Sequence, residues 1–181
     1  MEYFSVYTKY GEKSNEIVER KEAHQLGICH RVFHLWIINS DNQVLLQQRS
    51  ANKDIGANLW YASVGGHIES HENMEQAIVR EAKEELGLDI TELTDSIQYL
   101  FTFQENRSFN NGTFKQNEFY DVFVLKYDAL LEHITMQESE VQAVKYIDYS
   151  DFKNAITQHD FFVAHDMAYK MLLIALDNYL Q

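Results

Sequence analysis

The sequence has no proline, so each of its turns must rest on Gly, Asn, Asp or Ser. It has one cysteine, Cys29, which excludes an intrachain disulfide framework and fits a reducing compartment. Positive charge is scarce: 15 Lys and Arg stand against 28 Asp and Glu, a formal charge of −13. That deficit argues against a general nucleic-acid or anionic-membrane binder. Phosphorylated small molecules stay open as substrates, because a bound divalent cation reverses the local field. No uncharged apolar run approaches the ~20 residues of a membrane span, and the amino terminus lacks the basic start and apolar core of a signal peptide. The expected location is the cytoplasm.

What is present is an ordinary globular balance. Of 181 residues, 45% are hydrophobic and 13% aromatic, enough for one compact domain with a sizeable core. The acidic excess lies entirely after Asp54, since residues 1–54 carry 7 basic and 7 acidic side chains.

Short strands are expected at Glu2–Thr8 and Glu16–Arg20, around a turn at Gly11. Cys29–Asn39 and Gln43–Arg49 form a strand–turn–strand unit across Ser40-Asp41-Asn42. Leu59–Val64 is a further strand that ends at Gly65-Gly66. Over Asn73–Leu86 the apolar period becomes helical, and Gly87 stops the helix. Ile97–Gln104, Glu118–Leu125 and Val144–Tyr146 read as strands, with a hairpin turn at Asn110-Asn111-Gly112. Asp151–Thr157 and Phe162–Leu180 read as helices. The pattern is α+β: a mixed sheet with helices packed on its faces. The run Phe161–Leu180 holds more apolar surface than one helix side usually buries, so a homodimer is expected.

At 100° per residue, Glu81, Glu84 and Glu85 span an arc of about 100° that borders the apolar stripe of Met74, Ala77, Ile78 and Ala82. Like charges at i, i+3 and i+4 repel, and at the edge of a buried face they require a counter-charge. Hard carboxylate oxygens suit Mg²⁺ or Mn²⁺.

Gly66, Glu72, Arg80-Glu81-Ala82, Glu84-Glu85 and Gly87-Leu88 fall in the register G-x5-E-x7-R-E-U-x-E-E-x-G-U, where U is aliphatic. All nine specified positions match the 23-residue signature, so the chain resembles the Nudix hydrolases over most of residues 28–160. That resemblance implies a Nudix fold, an α/β/α sandwich, and cleavage of a diphosphate linked to another moiety. The linked moiety would be a nucleoside or of isoprenoid type. It assigns Glu81, Glu84 and Glu85 to catalysis and to Mg²⁺ or Mn²⁺, with Gly66 counted among the metal contacts. Glu72, Arg80, Gly66 and Gly87 would be structural members of the box. Glu140, with Glu138 as its neighbour, falls where the family often places a further carboxylate, either general base or another ligand. One domain over residues 1–181 is expected, with a hairpin (about 1–27) and a closing helix (about 162–180) as additions.

Residues 30–54, HRVFHLWIINSDNQVLLQQRSANKD, are similar to the isopentenyl-diphosphate isomerases and isomerase-like Nudix hydrolases. Isomerases bind a metal through histidines and glutamates. His30, His67 and Glu118 match that set, His24 lies one residue off, and Gln116 replaces a glutamate. Arg49 and Lys53 are candidates for the substrate phosphates. The isomerase cysteine is missing: the strand before the box reads Tyr61-Ala62-Ser63-Val64-Gly65-Gly66. Hydrolysis is therefore expected, with isomerase-like activity or a non-catalytic ligand-binding module as alternatives. Phe103, Phe109, Phe114 and Tyr120 either stack on a base or pack within the sheet.

Overall fold

A computed structural model describes residues 1–53, 55–157 and 166–181. The chain opens with an antiparallel hairpin, β1 (Tyr3–Tyr7) and β2 (Lys13–Glu19), followed by the short helix α1 (Arg20–Leu26). The main sheet takes β3 (His30–Ile38), β4 (Gln43–Arg49), β5 (Trp60–Tyr61), β6 (Val64–His67), β7 (Gln98–Phe109), β8 (Phe114–Lys126) and β9 (Val141–Asp148). Its order is β5-β4-β3-β8-β7, with β6 also on β3 and β9 also on β4. β3 and β8 run parallel, so the sheet is mixed, as expected.

β3 and β4 are apolar on both faces because both faces are covered. Side chains alternate across a strand. Phe33, Leu35, Ile37 and Leu45 therefore pack with α2 (Met74–Leu86). Trp36, Ile38, Val44 and Leu46 pack instead with α3 (Tyr149–Thr157) and α4 (Asp166–Tyr179). The result is the expected sandwich with helices on both faces.

α2 begins where its caps dictate. Asn73 Oδ1 accepts the Gln76 backbone N–H, and Gln76 Oε1 accepts the Asn73 backbone N–H. Gly87 ends it at φ 69°, and its N–H donates to the Lys83 carbonyl. With proline absent, asparagines at positive φ serve the turns: Asn42, Asn58, Asn110 and Asn111.

Three elements differ from expectation. α1 is a helix that sequence patterning missed, since it has only seven residues and no side-chain cap. The strand expected at Leu59–Val64 is divided into β5 and β6, and β6 continues through Gly65-Gly66 to His67. β7 and β8 extend to the Asn-Gly tip, pairing from Gln98↔Val124 to Phe109↔Phe114. Of the apolar run expected to form the closing helix, Phe161, Phe162 and Val163 lie outside the described residues. Leu172 and Leu176 of α4 are buried against the sheet, while Met167 and Ile174 are exposed. No helix among the described residues is long and apolar enough to cross a membrane.

Candidate active site

β3 shares one edge between two partners: Ile38 pairs with β4, whereas Val32–Leu35 pair with β6. α2 packs on β6, and a cleft of about 520 Å³ opens between α2, the hairpin and the loops after β4 and before β9. Glu81, Glu84, Glu85, Glu140, Arg49, Lys53, His24, His67 and Glu118 all line it.

On α2, Arg80 is the hub. Its guanidinium donates twice to Glu72, at 3.1 and 2.7 Å, and reaches the His67 carbonyl at 3.1 Å. Nη1 donates to Glu81 at 2.8 Å and to Glu84 at 3.1 Å. Glu72 in turn accepts the Glu69 backbone N–H, and the Arg80 bond to the His67 carbonyl ties α2 to β6. Glu84 stands at the mouth with its side chain 54% exposed. Glu85 is buried, and its Oε2 accepts from Gln47 Nε2 at 3.0 Å and the Gly65 N–H at 3.3 Å. Burial first, and then the neighbouring carboxylates, push Glu81 up to about 7 and Glu85 up to about 8. A Cβ at Gly66 would collide with the Glu81 carboxylate, so glycine there lets Glu81 keep its place.

Glu140 accepts from Lys53 Nζ across the cleft, and its carbonyl accepts the Ser50 N–H. Arg49 donates to the Ile55 carbonyl at 3.1 Å and lies over the Tyr61 ring. It has no carboxylate partner among the described residues.

The second cluster joins four elements. His24 of α1, His30 of β3, His67 of β6 and Glu118 of β8 bring one ligand atom each to within 4.8 Å of one another. The parallel register sets His30 beside Glu118. The Ile28 carbonyl lies 2.8 Å from His30 Nδ1, and the Lys115 carbonyl 3.3 Å from His24 Nδ1. A carbonyl only accepts, so both rings carry hydrogen on Nδ1. Glu118 Oε1 stands 3.4 Å from His30 Nε2, 3.8 Å from His24 Nδ1 and 3.9 Å from His67 Nε2. Nε2 of His24, His30 and His67 is buried without a hydrogen-bond partner among the described residues. Burial, then His30, pushes His24 down to about 4, and burial holds His67 well below its ordinary value. Phe4 stacks on His67 (4.6 Å, 2°) and His30 (4.8 Å, 20°), and Phe114 stacks on His24 (4.3 Å, 16°). Glu118 also accepts the Tyr120 hydroxyl.

Several expectations are thereby sharpened. His24, one residue out of register by sequence, belongs to the cluster because α1 turns it inward. His30 is fully buried and does not line the cleft itself. Phe109 pairs with Phe114 across the hairpin and Phe103 stacks on Tyr120, while Phe114 and Tyr120 also line the cleft. Cys29 is buried and remote in sequence from the strand before the box. Phe4 and Gln47 escaped sequence reasoning. With Gln43, Gln48 and Arg49 on the same strand, nothing in the sequence of β4 marked Gln47.

A family model described as "NUDIX domain" matches residues 29–165. The chain is 37% identical over 162 residues to Nudix hydrolase 3 of Arabidopsis thaliana, covering 88% of this chain but only 21% of that protein. It is thus similar to about a fifth of the plant protein's length. It is 32% identical over 146 residues to an isopentenyl-diphosphate Delta-isomerase of Salmonella paratyphi B, covering 79% of this chain and 74% of the relative. The crystal structure of DR0079 from Deinococcus radiodurans superposes with a TM-score of 0.70 at 24% identity, covering 94% of this chain and 97% of the other. The unbroken box on α2 and the match over residues 29–165 lead to one conclusion: the chain belongs to the Nudix family.

Proposed function

We propose that this protein is a divalent-cation-dependent hydrolase that cleaves a diphosphate linked to another moiety by attack of water on phosphorus. The observation that carries this reading is the crowding of Glu81, Glu84 and Glu85 along one cleft wall, with Arg80 as their one paired cation among the described residues. Glu85 has no cationic partner among the described residues, and burial raises it to about 8. The donor set fits Mg²⁺ or Mn²⁺: hard carboxylates, and a backbone at Gly66 that lies directly against Glu81. Glu81, Glu84 and Glu85 would hold the cation together with Gly66. When bound, it neutralises the diphosphate and lowers the pKa of attacking water.

The remaining roles fall to the chain's own groups. Glu140 takes the proton of the attacking water, as general base. Arg49 and Lys53 bind the phosphate oxygens through charge-assisted hydrogen bonds, and Arg49 is the readier because no carboxylate among the described residues holds it. Glu72, Arg80 and Gly87 keep the carboxylates in place. His30, His67 and Glu118, with His24, form a second cation site that meets the substrate. Three imidazoles and one carboxylate suit a borderline ion such as Mn²⁺ or Zn²⁺.

The histidine cluster and the Salmonella relative favour isomerase-like activity as the second reading. Against it, β6 offers Val64-Gly65-Gly66-His67 where the isomerases carry cysteine. A non-catalytic module is disfavoured by the intact box. The substrate is a nucleoside diphosphate derivative or an isoprenoid-type diphosphate. Residues 1–181 act as one domain, in the cytoplasm, without nucleic acid or membrane as partner. Met167 and Ile174 on α4 leave a homodimer as part of this proposal. Sedimentation of a monomer at micromolar concentration would remove it.

The decisive assay follows phosphate or monophosphate release from nucleoside diphosphates, ADP-ribose and isopentenyl diphosphate at millimolar Mg²⁺ or Mn²⁺. Release from one of them is expected. Absence of release from all would overturn the reading, and formation of the allylic isomer from isopentenyl diphosphate would establish the second.

A further inference from the structure

β4 is covered on both faces, and its side chains alternate. Leu45 packs toward α2, while Val44 and Leu46 pack toward α3 and α4. By the same alternation Gln47 falls on the α2 side, and it is 2% exposed. A position that served packing alone would hold an aliphatic residue there, because a buried primary amide loses its water and must be repaid in hydrogen bonds. The bond it makes is to Glu85: Nε2 donates to Oε2 at 3.0 Å. The Gly65 N–H donates to that same oxygen at 3.3 Å. Two donors from separate elements thus hold one oxygen of a carboxylate at the cleft wall. The other, Oε1, receives no protein donor among the described residues.

The kind of donor matters as much as its place. Arg80 pairs with Glu72, Glu81 and Glu84, but not with Glu85. A Lys or Arg at position 47 would neutralise Glu85 and compete with a cation for it. An amide fixes the carboxylate and leaves its charge unspent. We propose that Gln47 is a positioning residue for Glu85: it locks Oε2, so that Oε1 is the oxygen presented to the cation and the diphosphate. This rests on the assignment of the α2 carboxylates given above.

The test replaces the amide by a side chain of similar shape without a donor, Gln47→Met. Mn²⁺ affinity is measured by calorimetry, steady-state kinetics use whichever diphosphate of the panel turns over fastest, and folding is checked by circular dichroism. Mn²⁺ binding is expected to weaken by about tenfold or more, the range found when partners of metal ligands are removed. kcat should fall while KM stays near its original value, a split that lost packing alone would not produce. A folded Gln47→Met with unchanged Mn²⁺ affinity and kcat overturns the assignment. Should Gln47→Met fail to fold, the isosteric Gln47→Glu is judged on the same two quantities. Failure of both to fold would make Gln47 a residue of stability alone and equally overturn it. Glu85→Gln is run alongside. If it leaves Mn²⁺ affinity intact, the α2 assignment itself is wrong. If it loses affinity while Gln47→Met does not, only the Gln47 proposal fails.

Discussion

Two clusters share one cleft and are incomplete for opposite reasons. The carboxylates of α2 are crowded: burial first, and then neighbouring carboxylates, push Glu81 and Glu85 up to about 7 and 8. The histidine cluster has too little charge: His24 and His67 are driven toward the neutral form, and Nε2 of His24, His30 and His67 is buried without a hydrogen-bond partner among the described residues. A cation relieves the first by Coulomb attraction and the second by coordination. The difference teaches that one fold can set hard oxygen donors and imidazoles side by side, two donor sets whose cation preferences differ.

The largest expected effect breaks the carboxylate side. Glu84→Gln or Glu85→Gln should lower hydrolysis by orders of magnitude while metal-free stability holds or rises, because one of several crowded like charges is gone. Turnover and thermal melting with and without Mg²⁺ check both halves. Intact turnover in the double variant would sink the site assignment.

Breaking the histidine side comes next. His67→Ala should remove one equivalent of Mn²⁺ or Zn²⁺ from the protein, counted by metal analysis after dialysis. An ion held at 100 times its Kd stabilises the fold by about 2.7 kcal/mol. A chelator should therefore lower the melting temperature of the original protein more than that of the variant; equal shifts would argue that the histidines hold no ion.

A pH series sharpens the contrast, since the clusters slope in opposite directions. Glu81 and Glu85 titrate at about 7 and 8 in the fold against 4.5 as model carboxyls, so the folded chain holds the extra protons. Metal-free stability should fall as pH rises from about 4.5 to 8. His24 titrates at about 4 against 6.5, so there the unfolded chain holds the extra proton. Its contribution is lost as pH falls from 6.5 to 4. Chemical denaturation across that range should show the alkaline slope flatten on adding Mg²⁺ and in Glu85→Gln. A slope indifferent to both would mean that these carboxylates do not set it.

The smallest effect serves as a control. Asn73→Ala removes the cap of α2 and should cost about 1 kcal/mol of stability. Its kcat at saturating cation should be unchanged, which separates the carriage of the carboxylates from their chemistry. A large fall in kcat would show that the cap reaches the site.

Much of the carboxylate side was legible in the sequence. Glu72, Arg80, Glu81, Glu84 and Glu85 lie within fourteen residues, and Asn73 and Gly87 mark the ends of their helix. The histidine side was legible only in part. His24 depended on α1, seven residues without a side-chain cap, and His67 on a strand that runs through two glycines. Phe4, which stacks on two of the histidines, comes from a hairpin whose position over the sheet no local pattern specifies. Nor did spacing reveal that Lys53 pairs with Glu140, or that Gln47 faces Glu85.

The sequence by itself therefore determined the carboxylate helix with its ends, most of the strands and the family. Residues at i, i+3 and i+4 share a helix face whatever that helix packs against, and period-2 apolar runs make strands before they have partners. Only the tertiary structure decided that His24, His30, His67 and Glu118 converge, and that Glu85 is buried beneath Gln47 and the Gly65 N–H. Those contacts join residues up to 94 positions apart. Their distances follow from the parallel register of β3 on β8, the path of β6 and the fold of the hairpin over the sheet, none of which is written in any short stretch of chain.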